Sequence, residues 1–142
     1  MSTPTQAFSA PGDPDEPLTR QYPPWTLDRD VYLPLGDWQI VLDVAADRDP
    51  AAGALLSRAC GSADPDDPAT IRLSGAELSS LIAFTGALAD ALEAGIDVTD
   101  RQLAAGVGDE YSSAAYARMV RAVGEVLREA DRLGRPFEAW VE

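Results

Sequence analysis

Ser74 and Glu77 stand three residues apart at the mouth of a long apolar run, RLSGAELSSLIAFTGALADALEAG, residues 72–95. A serine at a helix start and a glutamate three positions on satisfy each other's backbone amides, forming a reciprocal cap. Leu78, Leu81, Ile82, Thr85, Leu88, Ala89 and Leu92 then recur at helical spacing. A capped helix of about five turns with one wide apolar stripe must lie against another layer. Whatever else the chain forms has to cover that stripe.

The segment before the helix predicts the cover. VYLPL (31–35) and WQIVLDV (38–44) alternate apolar and polar residues, with Gly36 and Asp37 between them as a two-residue turn. That turn pairs Leu35 with Trp38, Leu33 with Ile40 and Val31 with Leu42, apolar against apolar, as a β-hairpin. Pro34 has no amide proton for a ladder, so its strand is expected at an edge. ATIRL (69–73) reads as a third strand. Asp49, Pro50 and Gly61 bracket a short helix over residues 50–60, and the turn-rich SADPDDPA follows.

Beyond the Ser74 helix, Thr99 or Asp97 caps a short helix near residues 100–105, and GVGDE interrupts it. A long helix is expected from about residue 110 to 133, stopped by Gly134 and Pro136. Tyr116, Met119, Val123, Val126, Ala130 and Leu133 form a seam on it, and Val120 and Leu127 widen the seam into a two-sided face. Gly124 weakens this helix unless another backbone approaches there. Phe137 and Trp140 fold back onto the domain.

Residues 1–24 hold six of the 11 prolines and read as an extended tail, which leaves residues 25–142 as a single domain. YPPW (22–25) is the exception within that tail: Tyr22 and Trp25 serve either as a strap on the chain's own core or as a docking peptide. The expected fold class is α+β. A small antiparallel sheet, the hairpin plus the third strand, is covered by helices in the order β-β-α-β-α-α-α.

Composition excludes much chemistry. The 142 residues include no histidine, no lysine and one cysteine, and 24 acids against 11 arginines give a net charge of −13. Without imidazole, the usual Ser-His and Cys-His pairs are absent, and so is a general base poised near neutral pH. Cys60 forms neither an internal disulfide nor a cysteine zinc site, and reads as a small buried apolar residue. Asp64, Asp66 and Asp67 fail the calcium-loop pattern, because Gly75 stands where the closing glutamate belongs. No catalytic, cofactor-binding or metal-ligating residue is assigned. No signal peptide or membrane-length apolar run is read, and a cytoplasmic protein is the expectation.

VTDRQLAAGVGDEYSSAAYARMVRAV (98–123) resembles a helix-turn-helix. Leu103 and Ala104 match the packed first helix, Val107 and Gly108 the turn, and Tyr111 to Arg118 the start of a recognition helix. The resemblance implies DNA binding with Arg118 and Arg121 toward phosphates or base edges. Asp109 and Glu110 depart from it, and strong acidity disfavours nucleic acid. The same helix carries i,i+3 and i,i+4 pairs, Glu129–Arg132 and Arg121–Glu125, which suit either a solvated face or the rim of a seam with a partner.

The reading is therefore a non-catalytic interaction or accessory protein that binds a protein partner or a second copy of itself through its C-terminal helix. Tyr22, Trp25, Met119, Val123, Val126, Arg118, Arg121 and Arg128 are the candidate contacts. A helix-turn-helix regulator and an acidic DNA-mimicking inhibitor are the alternatives.

Overall fold

The computed structural model describes residues 4–61 and 69–142. In chain order the elements are β1 (Thr5–Ser9), β2 (Thr26–Leu27), β3 (Asp30–Pro34), α1 (Leu35–Arg48), α2 (Pro50–Arg58), β4 (Ala69–Ile71), α3 (Gly75–Ala94), α4 (Thr99–Ala105), α5 (Ser113–Leu133) and β5 (Phe137–Val141). The strands form one antiparallel sheet in the order β2-β3-β1-β5-β4, so the class is α+β as expected.

Alternation divides the sheet into two faces. Phe8 lies opposite Val31 and Ala139, and all three are buried. The Phe8 ring meets Trp38 of α1 edge-on at 5.9 Å and Phe137 at 6.5 Å, which places α1 over this face. Ala7 lies on the other face between half-buried Tyr32 and Trp140.

α5 is the hub. It touches β1, β3 and β5 as well as α1 and α3. Tyr116, Met119, Val120, Val123, Val126 and Leu127 are all wholly buried, as its two-sided apolar pattern requires. α3 packs on α5 in antiparallel fashion. Near one end the Ser113 hydroxyl donates to the Leu92 carbonyl at 2.5 Å, and further along Gly124 faces Thr85. The stripe of α3 thus covers α5 and not the sheet.

Several local readings hold. Ser74 Oγ accepts from the Glu77 amide at 3.1 Å, and the Glu77 carboxylate accepts from the Ser74 amide at 3.0 Å. Asp49 caps α2 through the Ala52 amide, with Pro50 in its first turn. Gly134 ends α5 in the left-handed conformation.

Two expectations are corrected. Residues 38–44 are not the second strand of a hairpin; they belong to α1. Asp37, Trp38, Val41, Val44 and Ala45 form a buried helical face, overlaid on the alternation of Trp38, Ile40, Leu42 and Val44. A short apolar run fits both periods, and the unbroken stretch up to Asp49 and Pro50 decides for helix. Pro34 ends β3 and serves as the N-cap of α1, with an extended backbone compatible with both roles.

The expected tail is the second departure. Its residues 5–9 form β1, which lies in the middle of the sheet. Residues 10–18 are held by buried Arg29, which donates to the Glu16 carbonyl at 2.5 Å and to the Pro11 carbonyl. The same guanidinium stands 4.0 Å from Glu129 of α5.

Candidate functional site

The eight predicted contacts divide into two groups. Met119, Val123 and Val126 are wholly buried between α5 and its neighbours, so they offer no surface to a partner. This corrects the expectation that the apolar seam of the C-terminal helix is a contact face: α3 and the sheet consume both of its sides. Trp25 is also buried, with its ring edge-on to Tyr111 at 5.3 Å. It acts as the strap.

Tyr22, Arg118, Arg121 and Arg128 come together. With Arg20 they line one groove of about 380 Å³ between α3, α5 and the segment leading to β2. The Arg118 guanidinium lies 5.6 Å from the centre of the Tyr22 ring and donates to the Pro23 carbonyl at 3.4 Å. The aromatic face and the carbonyl hold a charge in place without neutralising it. Arg121 donates to Asp90 at 2.9 Å and to Glu93 at 2.5 Å, both on α3. Those carboxylates hold its guanidinium above its usual pKa range. The expected Arg121–Glu125 pair is replaced by Arg128–Glu125 at 2.9 Å. Among the described residues, Arg20 and Arg118 make no ion pair with a carboxylate. Arg118 is therefore an uncompensated cation against Tyr22, and Arg20 is a second on the lining of the same groove.

Two glycines belong to the same groove. Gly86 of α3 and Gly124 of α5 lie inside helices, where each costs about 1 kcal/mol against alanine. Neither glycine has a positive φ. A Cβ on Gly86 would meet nothing within 4 Å, and one on Gly124 would meet only the Thr85 hydroxyl, at an ordinary 3.8 Å. Close backbone approach, the reason considered for Gly124, is therefore not the explanation. Both positions open the trough beneath the arginines.

Comparison with protein families, characterised proteins and solved structures finds no match. The site is therefore argued from its own geometry.

The other clusters are structural. The Tyr116 hydroxyl donates to Asp37 at 2.7 Å, while the Gln102 amide donates to Tyr116 at 3.0 Å and to the Tyr111 carbonyl at 2.9 Å. Burial and the Asp37 bond raise the Tyr116 phenol above its ordinary range. This network ties α1, α4 and α5 together and satisfies each buried group. Cys60 is buried, accepts from Trp38 Nε1 at 3.3 Å, and is pushed up to about 11 by burial. A thiol so shifted is a poor nucleophile. Arg101 bridges Asp43 and Asp47 across a second groove, between α1 and α4.

The helix-turn-helix reading meets two obstacles. Leu103, matched to the packed first helix, is 80% exposed, and the neighbouring Gln102 is buried in its place. Most of α5 is buried, and the arginine ridge it leaves exposed is shared with α3 and Tyr22 in the groove, so it does not stand clear as a recognition helix. Asp64, Asp66 and Asp67 lie outside the described residues. Among those described, no three His, Cys, Asp or Glu side chains gather as metal ligands. No described helix is long and apolar enough to cross a membrane.

Sequence reading missed Arg20, Gly86 and the placement of Gly124. Arg20 sat in the presumed tail. The signal for the glycines was available: each interrupts a strong helical pattern with no turn nearby.

Proposed function

We propose that this protein is a non-catalytic binding protein of the cytoplasm that engages a protein partner through the groove between α3 and α5. One observation carries the reading. In a chain of net charge −13, four of the 11 arginines line one trough whose floor holds two helix-interior glycines. Charged residues usually scatter over a surface to keep it soluble. Gathering them over a floor that weakens two helices suits a surface shaped for contact. Arginine is well fitted to such a role, because its planar fork gives several directed hydrogen bonds and is weakly hydrated.

The contact face differs from the apolar seam of the C-terminal helix. It uses the polar ridge of α5 together with Tyr22 and Arg20. A second copy of the chain is the other partner of the same class, and light scattering distinguishes it.

The test compares immobilised wild type with an Arg20→Gln/Arg118→Gln variant in capture from the native lysate. Both side chains are exposed, so the variant should fold and melt like wild type. A partner retained by wild type should be lost on the variant. Equal retention on both would remove the groove from the interaction.

A further inference from the structure

We infer that the sheet face turned away from the helices is a second contact surface, and that its occupant is an arginine-bearing segment of a protein partner. This surface is distinct from the groove between α3 and α5 and stands or falls without it. Trp38 of α1 meets Phe8, and Phe137 lines one cavity with Ala130 of α5, so both helices lie on the Phe8 face. The alternate residues of each strand make up the opposite face. Pairing register fixes what stands there. Tyr32, Ala7 and Trp140 are cross-strand partners in one row. Asp30, Ser9 and Glu138 form the row on one side of it, and Pro34, Thr5 and Glu142 the row on the other. Leu27, opposite Asp30, extends the face and is 64% exposed.

Two half-buried aromatic side chains thus flank a fully buried alanine, with carboxylates on either side. The acids lean toward the aromatic row. Asp30 accepts from the Ser9 hydroxyl at 2.6 Å and from the Tyr32 hydroxyl at 3.2 Å. Glu142 accepts from Trp140 Nε1 at 3.1 Å. Burial, Asp30 and Glu142 together hold the Tyr32 phenol above its ordinary pKa. All three donors are neutral, so the carboxylates keep their charge uncompensated. No arginine stands in any described strand, and among the described residues none pairs with Asp30, Glu138 or Glu142.

Charge complementarity selects the occupant. An arginine guanidinium lies flat on an aromatic ring and forks to a carboxylate beside it, which the compact ammonium of lysine does less well. This face offers both partners in adjacent rows. A second copy of the chain is disfavoured, because pairing two such faces brings the same carboxylates together with no cation between them. Nucleic acid and acidic peptides are repelled by the same charge.

The probe is a capped pentapeptide with arginine at its second and fourth positions and glycine elsewhere, titrated into isotope-labelled protein at physiological salt. Citrulline, lysine and glutamate replace arginine in the control peptides. The arginine peptide should shift the Ala7 and Tyr32 amides and the Trp140 indole N–H. It should bind about tenfold more tightly than the citrulline peptide and about threefold more tightly than the lysine peptide. Glu138 and Glu142 are exposed, so Glu138→Gln/Glu142→Gln should melt like wild type and bind the arginine peptide about fivefold more weakly. Arg20→Gln/Arg118→Gln, which alters only the groove, should leave this binding unchanged. No shift at these residues, an equal response to citrulline or lysine, or undiminished binding by the Glu138→Gln/Glu142→Gln variant overturns the inference. So does tighter binding of the glutamate peptide, or a dimer in light scattering that shields Trp140 from a soluble quencher. Lysate capture that depends on Arg20 and Arg118 bears on the groove alone.

Discussion

Gly53 and Gly86 are both glycines inside helices, and a methyl group would act on them in opposite ways. At Gly53 a Cβ would stand 2.8 Å from the backbone of Ala46, where α2 crosses α1. At Gly86 it would meet nothing within 4 Å. Gly86→Ala should therefore raise stability by about 1 kcal/mol through helix propensity. Gly53→Ala should lower it by about 1–3 kcal/mol through overpacking. Urea midpoints of the two variants decide, and a loss of stability at Gly86 would mean that the glycine has a structural task.

Cys60 gives a second test at this scale. Burial pushes its thiol up to about 11, against about 8.5 in an unfolded chain. A group that stays protonated on folding stabilises the fold fully below its unfolded pKa, and loses that contribution as pH rises toward the folded value. The melting temperature of wild type should thus fall more steeply between about pH 8.5 and 11 than that of Cys60→Ala. A thiol reagent should label the native protein only as fast as it opens. Parallel pH slopes for the two proteins would contradict the burial.

At the scale of elements, β1 is the sharpest case. Gln6, Ala7 and Phe8 are all buried, and β1 joins β3 to β5 in the sheet. Removing residues 4–9 should leave a chain without a cooperative melt, although the composition around them reads as dispensable. Phe8→Ala alone should cost about 3–5 kcal/mol. A truncated chain that melts like wild type would return β1 to the status of a tail.

What could be read in advance follows a physical division. Ser74 with Glu77, Asp49 with Pro50, and Gly134 act through neighbours in the chain, and their local chemistry marks the element ends. The two-sided face of α5 was equally legible, since Val120 and Leu127 lie beside the Tyr116 seam. β1 was not, because its five residues gain their role from strands far along the chain, with Phe8 pairing to Val31 and Ala139. α1 was misread because Trp38 to Val44 satisfies two periods at once. The groove required the third dimension. Arg20, Gly86 and Arg118 are distant in sequence, and only the crossing of α3 and α5 beside the Tyr22 strap joins them.

At the scale of the whole molecule, charge and shape make one pattern. Acids dominate the chain, while Arg29 is buried to hold the N-terminal segment and Arg101 is taken up by Asp43 and Asp47. Arg20 and Arg118 remain exposed on a trough floored by glycine. If that trough exists for contact, filling it should abolish binding without harming the fold. The measurement is the amount of partner retained by immobilised Gly86→Leu relative to wild type, with a urea midpoint for each protein. The leucine should leave the midpoint at or above that of wild type and reduce retention at least tenfold. Undiminished retention by a stably folded Gly86→Leu would contradict the account.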